Sequence, residues 1–165
     1  MIAAGLFRDE RVELIEGVLI ERSPQSAPNA YVIQLLTRLL TPRLLGRADV
    51  RVQLPFVVGA LSVPEPDLAA VPLGNSMAEH PGKAFLIIEV ADSSLKFDRQ
   101  EKAELYAHAA VPEYWVVNLG NRIIERHSEP AGGAYTRLTP CRSGETVAPL
   151  AFRDVELRVD EVFGG

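Results

Sequence analysis

Cysteine occurs once in these 165 residues, at Cys141, and histidine three times, at His80, His108 and His127. One thiol excludes an internal disulfide framework, and scattered histidines beside a single cysteine offer no zinc set. Long apolar runs are missing as well. No window of about 18 residues is free of charge, which excludes an ordinary membrane-crossing helix, and no basic stretch with an apolar block behind it marks a leader. The expectation is a soluble protein of the reducing cytoplasm. Repeats, linkers and low-complexity tracts are also lacking, and the length suits one domain over residues 1–165, with 47% hydrophobic residues to build its core. A net charge of −5 and a pI near 5.2 argue against loose coating of nucleic acid. That balance leaves room for a local basic groove and suits a site that gathers carboxylates around a metal.

What is present is an alternation of strand and helix patterns. In "RVELIEGVLIERS", Val12 and Leu14, then Val18 and Ile20, alternate about the hairpin turn dipeptide Glu16-Gly17. Residues 1 to 10 read as a short leading helix. "SPQSAPNAYVIQLLTRLLTPRLLG" has a candidate cap at Asn29 and a helical stripe of Val32, Leu35, Leu36, Leu39 and Leu40 that should fail near Thr41-Pro42. Three strands follow, in "DVRVQLPFVVG", "PDLAAV" and "AFLIIEV". "KFDRQEKAELYAHAAV" reads as a helix closed by Pro112, and "EYWVVNL" returns to strand, which makes a right-handed crossover. "RIIERHSEPAGGAYTRLTP" is a hairpin about Gly132-Gly133, and "LAFRDVELRVDEVF" one or two short strands. One mixed sheet flanked by helices, of the α/β or α+β class, is the expected architecture.

Glu89 stands in the middle of an apolar strand, where an unpaired carboxylate costs several kcal/mol. It is paired, protonated or holding something positive, and a paired arginine is the structural alternative to a functional role. Asp67, behind Pro66, opens the preceding strand; if the two strands are neighbours, both carboxylates meet at one end of the sheet. Such a pair repels unless a cation lies between them, and Mg²⁺, which prefers oxygen ligands, is the natural one. Asp98, Lys102 and Tyr106 follow at i, i+4 and i+8, on one helix face from which the lysine reaches back toward Glu89. A lysine beside a metal-bound water orients the nucleophile and stabilises charge developing on a phosphate. The bland alternatives are a turn aspartate, a surface ion pair and a packed tyrosine.

These parts, in their order, resemble a known family. "VELIEGVLIERSP", "PEPDLAAV" and "FLIIEVADSSLKFDRQEKAELYAHAAVPEYWVVN" are similar to the Uma-type putative restriction endonucleases of the PD-(D/E)XK nuclease superfamily, over nearly the whole chain. The resemblance implies a restriction-endonuclease-like fold with an N-terminal hairpin. It implies Asp67 and Glu89 as metal ligands for Mg²⁺, with Mn²⁺ as substitute, and Glu16 as an acidic residue of the N-terminal element that helps form the site. Where the superfamily carries lysine two residues after the acid, this chain has Ala91; Lys102 matches the lysine moved to the next helix. Where the family tends to carry a histidine at the start of the first long helix, this chain has Asn29, which cannot titrate near neutrality.

The expected activity is hydrolysis of DNA by a homodimer, with Glu16 and Tyr106 shaping the site and no membrane involved. Arg38, Arg43, Arg47 and Arg51 are the densest candidate contacts for DNA, although charges beside an amphipathic helix are more often its solvated face. The alternative is a catalytically silent binding module that keeps the fold.

Overall fold

Alternation along the strands sorts the core into two layers, one on each face of a six-stranded sheet. The computed structural model describes residues 11–74 and 77–165, so the helix expected over residues 1 to 10 lies outside the described residues. The sheet runs in the order β3 (Asp49–Val52), β4 (Leu68–Val71), β5 (Leu86–Ala91), β6 (Glu113–Asn118), β7 (Ile123–Ala131) and β8 (Ala134–Cys141). Only β5 and β6 pair in parallel, and parallel neighbours need a crossover. It is supplied by α2 (Leu95–Phe97), a π-helical turn (Asp98–Lys102) and α3 (Ala103–His108). β5 and β6 are buried along their whole length, as strands covered on both faces are.

Leu68, Ala70, Leu86, Ile88, Val90, Trp115 and Val117 face the layer formed by α1 (Ala27–Leu44) and α4 (Val159–Val162). Their alternates Ala69, Val71, Ile87, Ala91, Tyr114 and Val116 face α3, with Ile15 of the hairpin and Phe56. The hairpin itself is β1 (Val12–Ile15) with β2 (Val18–Glu21), and a two-stranded ribbon, β9 (Thr146–Val147) with β10 (Leu157–Arg158), completes the chain. The architecture is α+β with an N-terminal hairpin. No helix of the described residues is long and apolar enough to cross a membrane.

Three local expectations give way to packing. α1 does not stop at Thr41-Pro42 but carries Pro42 inside it and ends at Leu44. Proline removes a hydrogen bond there, yet Leu40 and Leu44 are buried on the sheet, and that burial holds the last turn in place. The cap of α1 is Ser26, whose Oγ accepts the Asn29 N–H, rather than Asn29. At the C-terminus, the strand is only Leu157–Arg158, and Val159–Val162 coils into one helical turn.

Candidate active site

Leu68 pairs with Ile88 in the antiparallel β4–β5 ladder, so the next step of the register sets Asp67 across from Glu89. Alternation puts both on the α3 face, Asp67 with Ala69 and Val71, Glu89 between Ile87 and Ala91. Both are almost fully buried, at 2% and 1% exposure. Two like charges facing across strands destabilise a sheet unless they are neutralised. The Val90 N–H donates to Asp67 Oδ2 at 2.9 Å, which ties the two strands together at this point.

Two cations and a third acid complete the group. Lys102 Nζ donates to Glu13 Oε1 at 2.7 Å and to Glu89 Oε1 at 3.2 Å, and Tyr106 Oη donates to the same Glu89 oxygen at 2.9 Å. Arg22 reaches over from β2's end: Nη2 lies 3.3 Å from Asp67 Oδ1 and 3.9 Å from Glu89 Oε2, Nε 3.5 Å from Glu13 Oε2. Its Nη1 donates to the Glu65 carbonyl at 2.8 Å. A cleft of about 270 Å³ opens over this group, with Asn29 and Asp98 also in its wall.

Burial sets the protonation of these groups and the ion pairs adjust it. For Glu89, burial and then the neighbouring Asp67 push the pKa up, against the pull of Lys102. Burial lowers the Lys102 pKa, but Glu89 and Glu13 outweigh it and raise the value above that of an ordinary lysine, which keeps the ammonium charged. Tyr106 is pushed well above its usual range by burial and by Glu89, so it serves as a hydrogen-bond donor. Asp98, buried and near Glu89, is pushed up to about 8; its Oδ2 accepts from Ser94 Oγ at 2.6 Å. The π-helical turn that carries Asp98 and Lys102 is pinned to β6 by the Tyr114 hydroxyl, which donates to the Asp98 carbonyl at 2.9 Å. Such turns recur at functional sites because they re-aim side chains.

Asp67, Glu89, Lys102 and Tyr106 thus converge, whereas Glu16 stands apart. It occupies the exposed hairpin turn with φ +49°, followed by Gly17 at +80°, and its N–H donates to Ser62 Oγ. Two consecutive left-handed residues make a tight two-residue turn, and neither of them lines the cleft. The acid that the hairpin contributes is Glu13. Its strand buries Glu13 and Ile15, one residue out of step with the Val12 and Leu14 alternation, and Glu13 Oε1 also accepts the Glu65 N–H at 2.7 Å. Arg22 and Glu13 were the residues sequence reasoning missed. The signal for Glu13 was the hairpin turn itself, since an acid three residues before it falls on the same face as Ile15; nothing singles out Arg22.

Asn29 lies at the start of α1, where its Nδ2 donates to the Val90 carbonyl at 3.2 Å while its Oδ1 is buried without a partner. Of the four arginines, Arg47 forms a bidentate pair with Asp154 over the Phe152 ring, Arg43 donates to the Leu39 carbonyl and Arg51 to the Pro55 carbonyl. At a rise of about 1.5 Å per residue, Arg43 sits some ~20 Å along α1 from Asn29 and the cleft.

Among the described residues, no group of three or more Asp, Glu, His or Cys side chains is arranged to hold a metal ion. Two carboxylates with water completing the shell are nevertheless the donor set that Mg²⁺ takes. Asp67 Oδ1 and Glu89 Oε2 fit that chemistry, both being hard oxygens directed at one cationic position.

A sequence model of the Uma2 family, described as "Putative restriction endonuclease", matches residues 4–160. No curated protein matches. Among solved structures, a putative nuclease belonging to DUF820 from Anabaena variabilis ATCC 29413 superimposes with a TM-score of 0.67 at 11% identity, covering 93% of this chain and 89% of its own. That likeness is one of fold. The type IIG restriction endonuclease BpuSI aligns with a TM-score of 0.42 at 17% identity, over 83% of this chain and 14% of its own.

Proposed function

We propose, from the premise that this chain belongs to the Uma2 family of putative restriction endonucleases, that it hydrolyses phosphodiester bonds of DNA with Mg²⁺ held by Asp67 and Glu89. Mn²⁺ serves as substitute. The observation that carries this reading is the convergence of Asp67 and Glu89, from facing strands, with the Lys102 ammonium 3.2 Å from Glu89 beneath one cleft. A divalent ion bound there supplies an activated water and neutralises charge on the phosphate.

The side chains around it have separate tasks. Lys102, held charged between Glu13 and Glu89, sets a fixed positive point where negative charge grows in the transition state. Tyr106 holds Glu89 Oε1 and so fixes the carboxylate's plane, leaving Oε2 on the side of the cationic position. Glu13 positions the lysine. Two copies acting together would cut both strands of a duplex.

A silent binding module is the second reading, favoured by Asn29 where the family tends to carry histidine and by the Arg22 guanidinium between the two acids. Incubation of the protein with supercoiled plasmid and Mg²⁺ or Mn²⁺ separates the two. Nicking that needs the ion and vanishes in Glu89→Gln is expected. Intact plasmid under every condition would favour the silent module.

A further inference from the structure

Three carboxylates, Glu13, Asp67 and Glu89, are gathered here against two cations, and these differ in burial. The Lys102 side chain is 2% exposed and bound to Glu13 and Glu89; the Arg22 side chain is 18% exposed, at the wall of the cleft. Burial would lower the Arg22 pKa, but Glu89, Glu13 and Asp67 together raise it, so the guanidinium is a permanent charge. Its Nη2 addresses both Asp67 Oδ1, at 3.3 Å, and Glu89 Oε2, at 3.9 Å. Those are the oxygens that would hold the ion.

We propose that Arg22 is a built-in counter-ion that competes with the divalent cation for Asp67 and Glu89, and so sets the metal affinity of this site. The inference rests on the metal reading above. Mg²⁺ binds oxygen at about 2.0–2.1 Å, and a guanidinium nitrogen within hydrogen-bond reach of the same oxygen would meet the ion at close to contact distance. Two positive charges so placed repel by several kcal/mol at the effective dielectric of a protein site. One of them leaves, and Arg22 is the mobile one. Its side chain stands in the wall of the cleft and is more exposed than that of Lys102, so the guanidinium head can swing into the cleft by giving up its contacts with the Glu65 carbonyl and Glu13. Arg22 also offsets part of the repulsion among the three buried acids, which Lys102 alone does not neutralise.

The test is Mn²⁺ titration by calorimetry of wild type, Arg22→Gln, Arg22→Lys and Asp67→Ala, each first checked for a cooperative thermal melt. Arg22→Gln should bind Mn²⁺ roughly tenfold or more tightly than wild type, Arg22→Lys close to wild type, and Asp67→Ala not at all. Equal or weaker binding by Arg22→Gln, with wild type still binding, overturns the competition and leaves the metal reading standing. No binding by either protein overturns both. Should Arg22→Gln fail to fold, the wild-type protein decides: the Arg22 Nε–H resonance should shift in step with added Mg²⁺, and a resonance unmoved at saturation of the site overturns the proposal.

Discussion

Lys102 Nζ lies 2.7 Å from Glu13 Oε1, a buried ion pair between residues 89 positions apart in the chain. It ties the N-terminal hairpin to the crossover helix, and the same Glu13 oxygen accepts the Glu65 N–H. Removing one partner of a buried pair strands the other charge, at a cost of about 3–5 kcal/mol. Glu13→Ala should therefore lower the urea midpoint substantially. Glu13→Gln, which keeps an acceptor for Glu65, should lose less. Equal losses in the two variants would mean that the acceptor kept for Glu65 contributes nothing and that the lost charge accounts for the whole effect.

Lys102→Met removes the ammonium and keeps most of the stem. Because Asp67 and Glu89 remain, Mn²⁺ binding should survive, and with one competing cation fewer it should not weaken. Plasmid nicking should drop by about two orders of magnitude or more, as for loss of one donor to a developing oxyanion. A quantitative nicking assay beside the calorimetric titration checks both halves. Nicking at the wild-type rate would remove Lys102 from the chemistry.

The part of the site that was legible came from alternation. The pattern of "PDLAAV" and "AFLIIEV" puts Asp67 and Glu89 on faces that coincide once the strands are neighbours, and the Leu68–Ile88 register makes them so. The hairpin was illegible for the converse reason. Val18 and Leu19 are 61% and 45% exposed, so apolar spacing does not mark the buried face there, and the hairpin acid that reaches Lys102 is Glu13, while Glu16 sits in the exposed turn. Pro42 misled in another way, since a local backbone preference gave way to Leu40 and Leu44 packing on the sheet. Arg22 carries no pattern at all; only the fold brings it to Asp67.

The Val90 backbone links Asp67 and Asn29, its N–H donating to Asp67 Oδ2 and its carbonyl accepting from Asn29 Nδ2. Asn29→Ala leaves that carbonyl without its donor, which costs about 1 kcal/mol, and loosens the strand segment that positions Asp67. The expected result is a small fall in melting temperature with a measurable fall in Mn²⁺ affinity. An unchanged affinity would show that Asn29 only caps the strand.

Asp98 gives the clearest pH signature. Its ordinary pKa of 3.8 is pushed up to about 8, by burial first and the Glu89 charge second. Between those values the folded protein holds a proton that the unfolded chain has released. The folded state then binds more protons, so the Asp98 contribution is fully present below the unfolded pKa and is lost as pH rises through the folded one. Asp98→Asn cannot titrate, and its amide oxygen can still accept from Ser94 Oγ. Near pH 4 the variant and wild type should be about equally stable; by about pH 8 the variant should be the more stable by a few kcal/mol. Lys102 moderates the gap by drawing the carboxylate toward its charged form. Urea denaturation at several pH values reads the difference directly. A gap that stays constant with pH, or one that closes as pH rises, would mean that Asp98 is ionised in the folded protein throughout.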